Sequence, residues 1–308
     1  MTQITSASWM RLALLGGMFG AAFMFTKLAL EGVGPFTVAA TRLTVGAMLL
    51  LTISRARGGG LPALRGPRAG TIWLCALSIG IFTNALPFFL LSWSQQFIAS
   101  GFAGVCMAVV PLMILPLAHL LVPGEQMNLR RLIGFGIGTV GVVLLIGPAA
   151  FAATGAEFEM VARIACIGAA LCYAIGAIVT RLCPDVDMLS LAAAALSIGS
   201  ALILPWALYI EGLPQDVPLR SLLALLYLGL FPTGFAQLLL VQLIRSAGPV
   251  FMSLLNYQVP IWSLFLGIVF LGEDLPGGIF WALATILTGL AISQAGALRR
   301  LFLGRAGR

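Results

Sequence analysis

The feature that most limits the fold of this chain is a series of ten apolar runs spaced along its 308 residues. A helix that crosses a bilayer needs about 20 predominantly apolar residues, and each run is close to that length. The runs cover residues 9–30, 35–54, 70–94, 98–121, 129–148, 162–182, 188–210, 219–243, 248–271 and 277–298. The breaks between them contain glycine and proline, which favour turns. This pattern predicts an all-α integral membrane protein with ten transmembrane helices.

Composition and charge argue against a soluble or nucleic-acid-binding protein. Apolar residues make up 60% of the chain and charged residues only 9%, whereas a typical soluble domain contains about 25% charged residues. The formal net charge of +7 could attract nucleic acid. However, the basic residues lie beside apolar runs, which is typical of topology signals. We therefore expect a lipid bilayer as a partner, and no nucleic acid.

The distribution of basic residues predicts the orientation of the chain. If the amino terminus is cytoplasmic, only Arg163 and Arg220 lie clearly outside, and thirteen arginines lie inside. The thirteen are Arg11, Arg55, Arg57, Arg65, Arg68, Arg130, Arg131, Arg181, Arg245, Arg299, Arg300, Arg305 and Arg308. This bias predicts a multi-pass protein of the inner (plasma) membrane with both termini in the cytoplasm. Lys27 and Arg42 fall in the outer halves of the first two helices, where we expect them to reach outward to the interface; a mouth that attracts anions is the alternative.

The two halves of the chain resemble each other. Residues 99–111 (ASGFAGVCMAVVP) align with residues 248–260 (GPVFMSLLNYQVP), 149 positions later. With one gap, Gly124-Glu125 falls on Gly272-Glu273. A chance match between apolar strings is the alternative, but it explains this ordered run poorly. Each unit has five helices, an odd number, so the second unit must be inverted, as in many secondary transporters. The expected repeats are residues 9–148 and residues 162–298.

Short motifs occur in a fixed order in both halves. The first half contains Gly20-x-x-Phe23-x-x-x-Lys27, Pro35, Arg42, Pro111, Gly124-Glu125 and Gly134 to Gly141. The second contains Pro232-Thr233-Gly234, Gly248, Asn256-Tyr257-Gln258-Val259-Pro260 and Leu271-Gly272-Glu273. In these motifs the chain resembles the drug/metabolite transporter (DMT) superfamily, specifically the ten-helix EamA family, over nearly its whole length. The resemblance implies export, or in some members uptake, of metabolites such as amino acids, nucleosides or drugs. It also implies a central cavity lined mainly by helices 1, 3, 4, 6, 8 and 9.

Four prolines inside the predicted helices indicate where that cavity could lie. A proline within a helix leaves the carbonyl four residues earlier without its amide partner. In hydrocarbon, such a carbonyl must be satisfied by protein, water or ligand. Any one proline could simply kink its helix. Pro87, Pro111, Pro232 and Pro260 fall in helices 3, 4, 8 and 9, which are matched pairs between the repeats, so together they favour one shared cavity.

Polar and aromatic side chains near these prolines are the candidate substrate-binding residues. Amides at this depth cost free energy unless they are paired or hydrated, so they either join neighbouring helices or bind a polar substrate. Asn256 and Gln258 point about 200° apart around their helix, so only one can face the cavity, and we favour Asn256. The candidate cavity residues are Phe23, Asn84, Phe88, Met107, Thr233, Gln237, Asn256 and Tyr257.

The ten acidic residues all lie at or beyond the predicted helix ends. No carboxylate is therefore expected at mid-depth, where it could carry a proton or bind a cation. Glu125 and Glu273 precede helices 5 and 10, and we expect them to stabilise the positive ends of those helices. The five cysteines form no CxxC pair, which indicates free thiols and no metal site.

Together these patterns favour a secondary transporter that exports small metabolites, such as amino acids or related polar or amphipathic compounds, by alternating access around a midplane cavity. An uptake permease of the same fold is the main alternative. A membrane-embedded enzyme is disfavoured because the chain shows no catalytic constellation and no nucleotide-binding loop, so no enzymatic activity, catalytic residue, cofactor or metal is expected. A receptor would usually carry soluble domains. A homodimer is a further candidate assembly. Gly134, Gly138 and Gly141 form a small-residue face on helix 5, with Gly289 on helix 10; we expect close helix packing there, and a dimer contact is the alternative.

Overall fold

The structure consists of helices that run back and forth, with no strand among the residues it describes. The computed structural model describes residues 5–146, 158–275 and 277–303. Its helices are α1 (Ser6–Leu30), α2 (Pro35–Ala56), α3 (Ala69–Ile79, Gly80–Ala85 and Leu86–Ser94), α4 (Ser100–Cys106, Met107–Val109 and Val110–Leu121), α5 (Leu129–Ile146), α6 (Glu159–Leu182), α7 (Met188–Ile210), α8 (Leu219–Leu228, Gly229–Phe235 and Ala236–Ala247), α9 (Pro249–Met252 and Leu255–Leu271) and α10 (Ile279–Leu303). The predicted all-α membrane fold is confirmed.

Within this described part of the chain, nine helices are long and apolar enough to cross a membrane. The exception is α9, whose longer segment has 17 residues and follows the short helix Pro249–Met252. A few predictions concern positions outside the described residues. These are residues 147 and 148, at the end of the predicted fifth helix and first repeat, and Arg305 and Arg308 among the inner arginines.

Local sequence explains where the helices begin and end. α2 begins with Pro35, whose missing amide costs nothing at the first helical position. α7 follows Asp187, whose carboxylate accepts a hydrogen bond from the Ser190 amide at 2.9 Å. α9 ends at Gly272, whose φ of +62° is strained for residues with a side chain. The glycine and proline breaks seen in the sequence therefore act as helix boundaries.

The contacts between the ten helices follow a two-fold pattern, in which the two halves of the chain make equivalent contacts. α5 packs on α10, α2 on α7 and α4 on α9, so these contacts join equivalent helices of the two units. The other large contacts come in exchanged pairs: α1 packs on α9 as α6 packs on α4, and α1 packs on α8 as α6 packs on α3. This arrangement is that of two five-helix repeats.

The second repeat is inverted relative to the first. We call the end of the bundle at which α1 begins end A, and the opposite end end B. The Phe97 ring, just after α3 at end B, lies 5.4 Å from the Phe158 ring, so α6 begins at end B. Arg181, in the last turn of α6, pairs with Glu125 at end A. α6 therefore runs opposite to α1, as the odd number of helices per repeat requires.

α3 and α8 each contain a wider π-helical segment near their middle. The segments are Gly80–Ala85 and Gly229–Phe235, and their first residues are 149 positions apart, the spacing that relates the sequence repeats. Each begins with a glycine that packs closely on a neighbouring helix, Gly80 on α7 and Gly229 on α2. Since π segments in helices often occur at functional sites, this matched pair draws attention to the middle of the bundle.

The small-residue face of α5 is occupied within the chain. A Cβ atom on Gly134 would lie 2.5 Å from the Gly289 carbonyl oxygen of α10, and one on Gly141 would lie 2.6 Å from Ile286. The two helices therefore pack backbone to backbone through these glycines. This face is not free to form the dimer contact that the sequence suggested as an alternative, and the homodimer itself stays a prediction.

Candidate functional site

A cavity of about 310 Å³ lies at mid-depth between the two repeats. Helices of both halves line it, with residues of α1 to α4 on one side and of α6, α8 and α9 on the other. Most of its wall is apolar or aromatic, and its polar groups include Thr83, Asn84 and Thr233 of the two π segments. Its volume falls at the small end of the range of about 300–1,000 Å³ for ligand pockets.

Seven of the eight predicted cavity residues line this one cavity. They are Phe23, Asn84, Phe88, Met107, Thr233, Gln237 and Asn256. Tyr257 does not line it, because one step along a helix turns the side chain by about 100° from that of Asn256. Whether the seven bind substrate stays a prediction. Thr83, Gln95 and Tyr173 also line the cavity and were not among the candidates.

The two π segments fix one polar side chain each. The Asn84 amide Nδ2 donates to the Ile79 carbonyl at 3.2 Å, and the Thr233 hydroxyl donates to the Leu228 carbonyl at 2.7 Å. In both cases the acceptor lies five residues earlier, as the wider helix requires. The Leu228 carbonyl is the one that Pro232 was predicted to free, and Thr233 satisfies it. The amide oxygen of Asn84 remains available to the cavity.

Arg42 was predicted to reach outward to the interface, and this prediction is wrong. Its Nε donates to Thr233 Oγ1 at 2.6 Å, and its guanidinium carbon lies 3.8 Å from the centroid of the Phe88 ring. The side chain is half-buried and lines the cavity. The sequence signal for this placement was present, because the small residues Ala39 and Gly46, one turn before and after it, mark the packed face of α2.

Lys27, unlike Arg42, lies in the last turn of its helix and binds acceptors at end B. Its Nζ donates to the Gln95 carbonyl at 2.5 Å and to the Ile98 carbonyl at 3.2 Å. These carbonyls lie at the end of α3, where the helix leaves acceptors without amide partners. Lys27 therefore ties α1 to the carboxyl end of α3 at end B, in keeping with the outward reach predicted for it.

Two carboxylates close end B by capping helix amino termini. Glu273 accepts hydrogen bonds from the Ser100 amide at 2.7 Å, the Ser100 hydroxyl at 2.9 Å and the Gly101 amide at 3.0 Å. Glu211 accepts from the amides of Phe36 and Thr37, both at 2.8 Å. A carboxylate is favoured at a helix amino terminus by the free amides and the helix dipole. The sequence predicted this role for Glu273 but assigned it to helix 10, whereas the structure places it on α4.

At end A the equivalent carboxylate, Glu125, forms ion pairs. Its two oxygens lie 2.6 Å from Arg181 and 2.9 Å from Arg131. The hydrogen bonds from Arg181 and Arg131 hold the pKa of the Glu125 carboxyl below its usual value. Because both oxygens bind arginine, Glu125 does not cap α5 as predicted; its charge joins α6 to the start of α5.

A second, smaller cavity of about 120 Å³ extends the site toward end A. It shares Thr83, Asn84 and Gln237 with the larger cavity. Its other walls include Thr180 and Met188, which lie near the end-A limits of α6 and α7. The cavity system therefore continues toward end A, while helix caps and Lys27 pack end B.

The described residues contain no group of three or more His, Cys, Asp or Glu side chains that could hold a metal ion. All five cysteines are free, and four of them are buried. Among the residues that the structure describes, Arg42 and Tyr173 are the titratable ones that line the larger cavity. The cavity lining thus presents hydrogen-bonding groups, one positive charge and aromatic surface.

Comparison with known proteins agrees with this arrangement. Protein PecM of Dickeya dadantii is 27% identical over 256 residues, which are 80% of this chain and 82% of that protein. An S-adenosylmethionine/S-adenosylhomocysteine transporter of Chlamydia trachomatis is 26% identical over 88% of this chain and 84% of its own. A probable terminal-alkyne amino-acid exporter of Streptantibioticus cattleyicolor is 23% identical over 98% of this chain and 96% of its own.

A solved crystal structure has the same fold. It aligns with a TM-score of 0.65 and 21% identity over 96% of this chain and 99% of its own. The sequence model of the EamA-like transporter family matches residues 7–147 and matches again over residues 160–294. The chain is therefore a multi-pass membrane protein that belongs to the EamA-like transporter family.

Proposed function

We propose that this protein exports small metabolites, such as amino acids or related polar and amphipathic compounds, by alternating access. The observation that carries the proposal is the cavity of about 310 Å³ between the inverted repeats, with polar groups at both π segments and aromatic walls. A transporter needs such a site near the midplane, where either repeat can close over it. The cavity continues toward end A and is packed at end B, as one state of an alternating cycle would be.

The relatives support the substrate class and the direction. One is named as a probable exporter of an amino acid and another as a transporter of S-adenosylmethionine and S-adenosylhomocysteine. We propose that the seven cavity residues predicted from the sequence contact the substrate: Phe23, Asn84, Phe88, Met107, Thr233, Gln237 and Asn256. Asparagine, glutamine and threonine supply hydrogen bonds, while the aromatic residues and Met107 supply apolar surface.

We also propose that end A faces the cytoplasm of a cell whose inner (plasma) membrane contains the protein. The arginine excess at end A supports this orientation, and the proposed repeats are residues 9–148 and 162–298. Reporter domains fused after Arg68 and after Arg181 should both report a cytoplasmic location. A signal from the external side at either position would contradict the proposed orientation.

Transport itself is tested with purified protein in liposomes loaded with a panel of labelled amino acids and amphipathic metabolites. We expect faster efflux of at least one compound than from protein-free liposomes. Met107→Trp should block this efflux, because the indole fills the cavity that Met107 lines. The matched control is Met48→Trp, since Met48 is 56% exposed on α2 outside the cavity.

Efflux that is no faster than from protein-free liposomes for every compound would contradict the transport proposal. Equal loss of efflux in both tryptophan variants would show that the substitution acts through stability instead of the cavity. Faster uptake than efflux of the same compound in right-side-out cell vesicles would favour the uptake permease.

A further inference from the structure

The most unusual group in the cavity is the arginine at position 42. It lies two turns into α2, and two contacts fix it toward the cavity. Its Nε donates to Thr233 of α8, and its guanidinium lies over the face of Phe88 of α3. A cation over an aromatic face is attracted to the ring. The side chain is thus held in place by three helices and cannot reach the interface.

Arg42 has no acidic partner among the residues that the structure describes. The four ion pairs found there join Arg131 and Arg181 to Glu125, Arg163 to Glu159, and Arg220 to Glu31. Within the described ranges, no aspartate or glutamate lines the cavity. A charge within the membrane is costly, and ionisable residues that persist there usually mark a substrate or ion path.

The guanidinium has hydrogen-bond donors to spare. Arginine carries five N–H donors in a planar fork, and in this structure only Nε has an acceptor, Thr233 Oγ1. The four N–H groups on the two Nη atoms have no acceptor among the described residues. A planar anion with two oxygens matches such a fork through two parallel hydrogen bonds.

We propose that Arg42 binds the carboxylate of the transported substrate. This inference rests on the proposed transport function and names the substrate class: a small molecule with one carboxylate and an apolar or amphipathic body. Phe23 and Phe88 provide apolar wall for the body, and Asn84 and Gln237 can hydrogen-bond a further polar group. Thr233 holds Nε and so orients the fork.

The charge balance favours a carboxylate over a phosphate ester. Arg42 is the one positively charged side chain among the described residues that line the cavity. The nearby Lys27 is bound to two carbonyls at end B. A phosphate ester carries a charge of about −1.5 to −2 at neutral pH, which one arginine leaves partly uncompensated. One carboxylate is neutralised completely.

A purely structural role for Arg42 is the competing explanation. The bond to Thr233 and the contact with Phe88 join α2, α8 and α3. In this role, replacing Arg42 would weaken the binding of every ligand, because the helices around the cavity would lose these contacts. The two roles differ in selectivity. A structural role affects charged and neutral ligands equally, whereas a carboxylate-binding role affects only the anion.

The test therefore compares two probes of nearly the same shape, 3-phenylpropanoate and its neutral amide, 3-phenylpropanamide. Their dissociation constants are measured on the full-length protein in lipid nanodiscs. We expect the wild type to bind the carboxylate about 10- to 100-fold more tightly than the amide, the range for hydrogen bonds to a charged group. In Arg42→Met this preference should fall to about twofold or less, and Arg42→Lys, which lacks the fork, should be intermediate.

Arg220→Met is the matched control, because Arg220 lies at end B, is mostly exposed and forms only a 3.7 Å ion pair. It should keep the wild-type preference. The inference is overturned if the wild type binds the two probes equally, or if Arg42→Met weakens both by the same factor. Efflux assays on the same preparation distinguish failure of this inference from failure of the transport proposal. Efflux of panel compounds with no preference for carboxylates would overturn this inference alone. Absence of efflux for every compound would overturn the transport proposal.

Discussion

Asn256 and Gln258 lie two positions apart on α9 in different surroundings. Asn256 lines the cavity, whereas Gln258 packs against Gly16 of α1. The Gln258 Oε1 atom is buried and has no hydrogen-bond partner, and a buried acceptor without a donor lowers stability. At the scale of single residues, the two amides therefore contrast a group that faces the cavity with one that is packed between helices.

Replacing Asn256 or Gln237 with leucine should weaken substrate binding. Leucine keeps the bulk but removes one hydrogen bond, which is worth about 0.5–1.5 kcal/mol, or up to roughly tenfold in affinity. The measurement is apparent substrate affinity in proteoliposomes at matched protein abundance. Gln258→Leu should leave affinity unchanged and the melting temperature equal or higher. A loss of affinity for Gln258→Leu but not for Asn256→Leu would contradict the prediction that Asn256, and not Gln258, faces the substrate.

Helical periodicity predicted most of the site, and its failures have specific physical causes. Asn84 and Phe88 share a face of α3 at a spacing of four, so the sequence could place them together. Tyr257 was assigned to the cavity through its neighbour Asn256, although adjacent residues on a helix diverge. Arg42 could reach either the interface or the cavity, and the groups that decided this, Thr233 and Phe88, lie far away in the chain.

The ion pairs of Glu125 should make stability depend on pH in acid. The pKa of this carboxyl is lowered from 4.5 by Arg181 and Arg131, so its contribution is complete above about pH 4.5 and is lost as the pH falls through the depressed value. Glu125→Gln should lower the free energy of unfolding at pH 7 by about 0.2–1 kcal/mol per pair. The melting temperatures of variant and wild type should converge in acid.

The matched control for this effect is Glu31→Gln. Glu31 lies 3.7 Å from Arg220, and both side chains are mostly exposed, so its removal should change stability little at any pH. A difference between Glu125→Gln and the wild type that keeps its size down to pH 3 would show that the carboxylate charge is not responsible.

At the scale of elements, the most extensive helix pair among the described residues is α5 with α10. A Cβ on Gly134 would approach the Gly289 carbonyl oxygen to 2.5 Å and the Ser293 amide to 2.6 Å. Both atoms belong to the backbone and cannot turn aside as a side chain can. Gly136, two positions along, has no atom within 4 Å of such a Cβ. A Gly→Ala substitution therefore meets a steric clash at position 134 and open space at position 136 of the same helix.

Gly134→Ala should lower stability by about 1–3 kcal/mol, the usual cost of overpacking. Gly136→Ala should be neutral or stabilising by up to about 1 kcal/mol, because alanine favours the helix. Thermal melting of the two purified variants is the measurement. Similar melting temperatures for both would mean that α5 and α10 separate easily and that their contact is not a fixed part of the fold.

Hydropathy predicted the helices well but did not predict the π segments. A bilayer requires continuous helices, so apolar length alone locates them. Pro232 lies inside one π segment, yet the position equivalent to it in α3 is Thr83, and α3 has a π segment there as well. Both segments begin with a glycine that packs closely on α7 or α2, and hydropathy does not report such contacts between helices.

At the scale of the whole molecule, the two ends are held differently. End B is closed by carboxylates on the amino termini of α2 and α4 and by Lys27 on α3. At end A the equivalent of Glu273 pairs with arginines, and the smaller cavity reaches toward that end. Two copies of one unit thus make different contacts at the two membrane faces.

Transport should continue without a proton gradient. The acidic residues in the described ranges lie at helix ends or in the turns between helices, so none is placed to carry a proton through the middle. Substrate counterflow in vesicles held at equal pH on both sides should persist at the rate seen with a gradient. If counterflow vanished at equal pH and returned with a gradient, His119, which contacts the Glu125 carbonyl at 3.3 Å, would be the first residue to test.

The lack of an acidic partner for Arg42 has an electrical consequence. The empty cavity carries one positive charge, whereas a bound monocarboxylate cancels it. Moving one elementary charge across a membrane potential changes its free energy by up to about 2.3 kcal/mol per 100 mV. Voltage should therefore drive the conformational change of the empty, charged protein and leave that of the substrate-bound, neutral protein unaffected. Net efflux of 3-phenylpropanoate should therefore respond to a potassium diffusion potential, while one-for-one exchange of the same compound should not; equal voltage dependence of the two would contradict a charge that the substrate neutralises.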